Sequence, residues 1–190
     1  LLPDPQYDRV HAIVLSVFDD DEIVISGQYY TRILMVKQHQ KSFPNFEGIS
    51  NVQFDFVDSE KDLFSLFESS IRFLDPDILV GFEIQKDSLG YLADRSISIF
   101  ENNSFLSDLS RVPTEKRPLD EMIEHDQYGW QHDSGLHVTG RIVLNIWRIV
   151  RAEVKLASYS FENCVASILK LRVPCIKKGQ LHAWFSKNHT

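Results

Sequence analysis

The first part of the chain follows the pattern of β-strands. The run over 10–18 is short, apolar and rich in β-branched residues, and it ends at an acidic cluster. This pattern indicates a buried strand followed by a turn. Three further strands are predicted from two short apolar runs and one strictly alternating run, over 23–26, 32–37 and 52–57. Because these strands follow one another closely, we expect an antiparallel meander.

Helical spacing begins after these strands. Ser59 and the acids behind it resemble a capping box, and the apolar residues that follow recur at helical intervals up to Pro76. A strand is predicted over 78–82, where the residues are again short and apolar. A second helix is predicted to begin near Asp87 or Ser88.

A polar segment separates these elements from the last third of the chain. Residues 101–134 contain two prolines, many acids and few large aliphatic residues, which predicts a surface loop or insertion. A strand over 136–144 and a helix beginning near Asn145 follow, and further helical segments are predicted over 160–171 and 179–187. Strands that alternate with helices predict an α/β fold with a mixed sheet, in one domain over 1–190.

The composition is that of an ordinary folded protein. The chain has 190 residues, of which 43% are hydrophobic and 25% charged, which excludes collagen-like, disordered and disulfide-scaffold classes. No apolar run is long enough for a membrane span, and the first residues do not resemble a signal peptide. Cys164 and Cys175 are too few for a disulfide framework, so we expect two small buried residues in a reducing compartment, the cytosol or nucleus.

The charge is distributed unevenly. The net charge is −7, yet residues 136–190 contain nine Lys/Arg and two Asp/Glu, against 11 and 25 in residues 1–135. Phosphate attraction follows local charge, so the last third is the part expected to contact a polyanion. The candidates are four cations in and just before the predicted helix, Arg141, Arg148, Arg151 and Lys155. Contacts with neighbouring domains, packing within this domain and a solvated basic surface are the alternatives.

Several acids stand at the predicted strand ends, where an α/β fold places its sites and where Mg²⁺ would find oxygen ligands. They are Asp19, Asp20, Asp21, Glu22, Asp75, Asp77, Glu83 and Asp87. Each has a simpler role as a solvated turn residue or a helix cap. The histidines match no zinc spacing, and no sequence motif of a nucleophilic enzyme or a phosphate-binding loop occurs.

One stretch resembles a known family. Residues 75–85, Asp-Pro-Asp-Ile-Leu-Val-Gly-Phe-Glu-Ile-Gln, are similar to the second exonuclease motif of the family-B DNA polymerases. The similarity continues through Ser88, Gly90, Tyr91, Leu92 and Arg95, and it extends to the segments over 2–10, 140–145 and 155–163. It implies a ribonuclease-H-like exonuclease domain, whose first strand and metal-binding Asp-x-Glu would precede Leu1 and whose last metal-binding Asp would follow Thr190.

The departures from this motif bear on function. The family's metal-binding Asp falls on Ser88, its Asn on Glu83, its Phe on Asp87 and its Pro on Gly90. These departures resemble the translesion branch of the family, which keeps the exonuclease fold without proofreading. Two-metal excision needs about four carboxylates around two cations roughly 4 Å apart, and the hydroxyl of Ser88 is a poor substitute.

The resemblance implies a longer nuclear DNA-directed DNA polymerase, which extends a primer past damaged template with Mg²⁺, deoxynucleotides and accessory subunits. We expect this chain to have no catalytic residue and no metal, to contact DNA and no membrane, and to retain only a vestigial exonuclease motif at Glu83, Asp87 and Ser88. Two other functions stay open. One is an active metal-dependent 3′ to 5′ exonuclease with a rearranged ligand set, in which Glu83 or another acid rebuilds the site, and the other is a non-catalytic interaction scaffold.

Overall fold

A computed structural model describes residues 3–19, 28–37, 51–101, 104–112, 135–176 and 179–181. The chain divides into two compact units. One comprises Leu1–Asp8 and Ile71–Cys175, and the other comprises Arg9–Ser70 and Ile176–Thr190. Each unit is described by itself.

The unit of Arg9–Ser70 contains a three-stranded sheet of β1 (Ala12–Asp19), β2 (Gln28–Val36) and β3 (Val52–Val57), in that order. β1 and β2 are antiparallel, as predicted, but β2 and β3 are parallel. The predicted meander is therefore wrong for β3. The connection between β2 and β3 is long enough for a crossover, which a parallel pair requires. The strand predicted over 23–26 lies outside the described residues.

Helix α1 (Glu60–Leu74) follows β3 and confirms the predicted helix. The Ser59 hydroxyl oxygen accepts a bond from the Asp62 amide at 3.2 Å, which satisfies one of the unpaired donors of the first turn. Leu63 and Phe64 of α1 are fully buried, as is Leu34 of β2. These apolar side chains form the core of this unit, and their burial supplies most of its stability.

The other unit is organised around two parallel strands, β4 (Ile78–Gly81) and β5 (Ile142–Asn145). The crossover between them contains α2 (Leu89–Phe100) and α3 (Phe105–Asp108). After β5 come α4 (Ile146–Glu153) and α5 (Phe161–Cys164), and a π-helical turn (Val165–Leu169) continues α5. Strands and helices alternate as the sequence predicts, which confirms the mixed α/β fold class.

Part of the predicted loop over 101–134 is ordered. Residues 104–112 contain α3, in which Phe105 is 2% exposed, and Leu109 directly after it is fully buried. Two large apolar residues four positions apart are enough to pack this short helix, although the surrounding sequence is polar. The remainder of the predicted loop, over 113–134, lies outside the described residues.

The two cysteines differ. Cys164 is buried, as predicted, whereas Cys175 is exposed. The prediction of a buried thiol is therefore wrong for Cys175, because residues 174–176 lie on the surface and not in a helix. Among the described helices, none has the length and apolar character that crossing a membrane would require.

Candidate functional site

The candidate site lies where the two parallel strands end. Gly81 of β4 and Asn145 of β5 are register partners, so the chain leaves both strands at the same edge of the sheet. The buried Asn145 side chain accepts a bond from the Arg148 amide at 3.4 Å, which caps the first turn of α4. The carboxyl edge of parallel strands is where α/β folds place their sites.

A tight loop over 82–88 joins β4 to α2. The Glu83 carbonyl accepts bonds from the amides of Lys86 at 3.1 Å and Asp87 at 2.9 Å, and the Gly90 amide donates to the Ile84 carbonyl at 2.8 Å. These bonds turn the chain so that Ser88 directly precedes α2. The loop therefore has a defined backbone path.

Ser88 points toward the strand end. Its hydroxyl oxygen lies 2.8 Å from the position that a Cβ atom on Gly81 would occupy. A larger residue at position 81 would push the hydroxyl away, so Gly81 makes room for it. The Ser88 side chain makes no capping bond to α2. The residue on which the motif's metal-binding Asp falls thus lies beside the strand end with a neutral oxygen.

The acids of the loop do not form a metal cluster. Glu83 is partly buried and Asp87 is exposed. No group of three or more His, Cys, Asp or Glu side chains in the described ranges is arranged to hold a metal ion. A two-metal centre requires several carboxylates that share two ions. Ser88 offers a neutral hydroxyl at the position where the family motif has one of these carboxylates.

Gly90 explains one departure from the motif. A Cβ atom on Gly90 would overlap the carbonyl oxygen of Gln85. The Gly90 amide also donates to Ile84, and proline, which the family motif has there, lacks that donor. The loop before α2 therefore depends on glycine at this position.

Two other residues of the motif hold the beginning of the chain. The Tyr91 hydroxyl donates to the Asp8 carbonyl at 2.9 Å, and Arg95 Nη1 donates to the carbonyls of Pro5 at 3.0 Å and Gln6 at 3.1 Å. Arg95 is buried. These bonds tie the proline-containing segment to α2, and both belong to the same compact unit.

A cluster of charged residues lies at the opposite end of β4, before its first residue. Arg111 Nε and Nη1 pair with Asp75 and Asp77, each at 2.7 Å, and Nη2 donates to the Asp75 carbonyl at 2.6 Å. The Arg111 bond holds the pKa of the Asp75 carboxyl below its ordinary value, burial partly opposes this, and the Arg141 bond adds to it. These acids, proposed from sequence as Mg²⁺ ligands or turn formers, bind arginine here.

Arg141 is part of the same cluster of charged residues. Its side chain is 2% exposed and pairs with Asp75 at 2.9 Å. It also donates to the carbonyls of Leu109 at 2.9 Å and Pro76 at 2.5 Å. A buried guanidinium that is bonded to backbone carbonyls favours the packing alternative over a contact with DNA.

The other predicted cations lie on and after α4. Arg148 Nη2 donates to Gln85 at 3.0 Å, so it faces the loop of the candidate site. The exposed Arg151 lies over the ring of Trp147. Lys155 is exposed, but α4 ends at Glu153 and the chain is extended at Val154. The prediction that Lys155 lies in this helix is therefore wrong.

Sequence reasoning missed several of these contacts. It did not find the pairing of Arg111 or the close approach at Gly90, because both depend on segments distant in sequence. The contact between Trp147 and Arg151 could have been predicted, because residues four positions apart lie on one side of a helix. Asp20, Asp21 and Glu22 lie outside the described residues.

The chain is similar in sequence to known DNA polymerases. The family model for the exonuclease domain of DNA polymerase family B matches residues 1–164. The chain is 34% identical to the DNA polymerase zeta catalytic subunit of Arabidopsis thaliana over 98% of its own length and 11% of the relative. The corresponding human subunit is 32% identical over 97% of the chain and 6% of the relative.

A more distant relative belongs to another polymerase. The DNA polymerase delta catalytic subunit of Oryza sativa subsp. japonica is 29% identical over 88% of the chain and 14% of the relative. The predicted resemblance to the exonuclease domain of the family-B DNA polymerases is confirmed, and within that family the chain is similar to zeta catalytic subunits. The chain spans only about a tenth of the length of these relatives.

Proposed function

Because the chain belongs to the exonuclease domains of the family-B DNA polymerases, we propose that it is the exonuclease-like domain of a translesion polymerase and that it positions DNA without excising nucleotides. The lack of proofreading is supported by one observation above all. The motif's metal-binding carboxylate is replaced by Ser88, whose neutral hydroxyl lies at the strand end.

Excision is chemically demanding at such a site. Hydrolysis of a phosphodiester by two cations needs carboxylates that hold the ions, activate water and offset the charge that develops on phosphate. Glu83 and Asp87 are the acids of the loop, and neither belongs to a described cluster that could hold a metal. With Ser88 at the position of the motif's metal-binding Asp, we propose that the domain keeps the fold without the full ligand set that the reaction needs.

The remaining function is structural and electrostatic. In the longer protein, primer extension on damaged template would be carried out in the nucleus by regions outside this chain, with Mg²⁺, deoxynucleotides and accessory subunits. This domain contributes three cations on and after α4, Arg148, Arg151 and Lys155, and Arg148 contacts the vestigial loop through Gln85. Such cations attract the phosphate backbone independently of base sequence.

A primer reaction tests this function. The full-length protein is incubated with a labelled primer on a template and Mg²⁺, with and without deoxynucleotides. We expect lengthening with deoxynucleotides and no shortening without them. A proofreading family-B polymerase serves as the positive control for shortening. Shortening by the wild type that disappears in Glu83→Gln would show that Glu83 rebuilt an active site, and the proposal would be wrong.

A further inference from the structure

The guanidinium of Arg151 lies against two aromatic rings. Its Cζ atom is 4.9 Å from the centre of the Trp147 ring and 5.9 Å from the centre of the Tyr159 ring. Trp147 precedes Arg151 by one turn of α4, and Tyr159 follows the end of that helix. Cation–π attraction operates at such distances and is strongest with tryptophan.

Both rings are fixed by hydrogen bonds. The indole N–H of Trp147 donates to the Tyr159 carbonyl at 3.1 Å. The Tyr159 hydroxyl donates to the Val154 carbonyl at 2.9 Å and accepts from the Leu156 amide at 3.3 Å. The chain thus folds back on the end of α4, and the two rings form one unit with the helix. We name this pair of rings the aromatic clamp.

The N–H donors of Arg151 differ from those of Arg111 and Arg141 in the groups that they contact. Arg111 and Arg141 direct their donors at carboxylates and backbone carbonyls. Arg151 is exposed, and its contacts with other described residues are the two ring contacts. A guanidinium carries its donors in its own plane, where they match two phosphate oxygens, and contacts with aromatic rings do not use these donors.

We infer that the aromatic clamp holds Arg151 ready to bind a backbone phosphate of DNA, so Trp147 and Tyr159 are positioning residues for this contact. The inference rests on the proposed DNA-positioning function. A flexible arginine must be ordered when it binds, and a clamped one is already ordered. The clamp is expected to raise affinity about two- to tenfold by this effect.

Binding of a primer–template duplex to the full-length protein, without nucleotides, tests the inference. Affinity is measured by fluorescence anisotropy over a series of salt concentrations. Arg151→Ala is expected to lower the slope of log affinity against log salt by about one, because one phosphate contact is lost. Arg151→Lys and Tyr159→Leu should keep the slope and lose about two- to tenfold in affinity, because charge remains and ordering is lost.

The double variant Arg151→Lys with Tyr159→Leu should bind no more weakly than either single variant, because both changes remove the same clamp. Additive losses would show that the ring acts independently of Arg151, for example by stacking on a base, and would overturn the inference. Trp147→Phe provides a second clamp variant if Tyr159→Leu does not fold. Lys37→Ala, which removes an exposed cation of the other unit, is the control and should change nothing.

The salt dependence of Arg148→Ala, Lys155→Ala and Arg151→Ala distinguishes the DNA-positioning function from the role of the aromatic clamp. If Arg148→Ala and Lys155→Ala lower the salt slope while Arg151→Ala does not, the clamp is only structural and the DNA-positioning function stands. If none of the three changes the slope, the DNA-positioning function fails and the inference fails with it. If Arg151→Ala lowers the salt slope and the other two variants do not, the result supports both the DNA-positioning function and the inference about the aromatic clamp.

Discussion

Arg141 and Asp75 form an ion pair in which one partner is buried and the other is exposed. The two side chains meet at 2.9 Å, and they are 2% and 57% exposed, respectively. Arg141 also reaches the carbonyls of Leu109 and Pro76. One guanidinium therefore joins the residues before β4, after α3 and before β5, which are far apart in sequence.

Replacement of Arg141 is expected to destabilise this region and leave DNA affinity unchanged. Arg141→Ala removes the donor from two backbone carbonyls and one carboxylate, which should lower local stability by about 2 kcal/mol. Hydrogen exchange of residues 75–82 and 139–145 in the full-length protein measures the change. Arg72→Ala is the matched control, because its exposed ion pair with Asp108 at 4.0 Å and its bond to the Asp108 carbonyl at 3.1 Å should together contribute about 1 kcal/mol.

The opposite result for Arg141 would be informative. If Arg141→Ala keeps the exchange rates of the wild type and lowers the salt slope of DNA binding, Arg141 contacts DNA as the charge pattern first suggested. The burial of its side chain argues against that outcome.

The stability of the same region should depend on pH. The bond from Arg111 is the main cause of a lowered Asp75 pKa in the folded chain, relative to an ordinary value of 3.8. The ionised carboxyl therefore stabilises the fold above that value, and this contribution disappears as the pH falls below 3.8 through the lower folded pKa. Asp75→Asn should lack this part of the pH dependence.

Hydrogen exchange of the Arg111 and Ile142 amides, corrected for the intrinsic effect of pH, follows the Asp75 contribution. The Arg111 amide donates to the Thr139 carbonyl, and the Ile142 amide donates to the Asp77 carbonyl. Parallel pH profiles for wild type and Asp75→Asn below pH 4 would contradict the assignment. Lys37→Ala should show the profile of the wild type.

Gly90 provides a test of the loop before α2. Gly90→Ala would place a methyl group on the Gln85 carbonyl, so the loop must move or the helix must lose its first turn. We expect a loss of about 2–3 kcal/mol in local stability, as for other strained or overpacked sites. Gly179→Ala is the control, because nothing lies near a Cβ atom there. Equal hydrogen exchange over 82–92 in the two variants would contradict the close approach.

Much of this fold could be predicted from local pattern. Alternation identified β3, and helical spacing identified α1 and α2 nearly to their ends, because apolar residues recur in these segments at the period of a strand or a helix. The direction of β3 could not be predicted, since the same pattern suits a parallel or an antiparallel neighbour. Local patterns describe which face is buried and not which strand lies beside it.

The candidate site, too, could be predicted from the sequence only in part. Ser88 could be located from the motif, and its position at the strand end is consistent with that location. The charge count identified Arg141 as a cation but could not show that Leu109 and Pro76 bind its donors. Charge is a property of the sequence, whereas the use of each donor depends on contacts between distant segments.

We also predict that Glu83 does not bind a divalent metal ion. Glu83 follows β4 at the strand end and is the acid best placed to replace the ligand lost at Ser88, yet it has no described cluster of acids around it. A single carboxylate binds a divalent cation weakly, because hard cations require several oxygen ligands. Millimolar Mn²⁺ added to the full-length wild type and to Glu83→Gln should therefore give the same thermal shift, since any ions bound elsewhere affect both equally. A larger shift for the wild type, accompanied by slower exchange over 82–88, would show that an ion binds at Glu83 and that the site retains part of its metal chemistry.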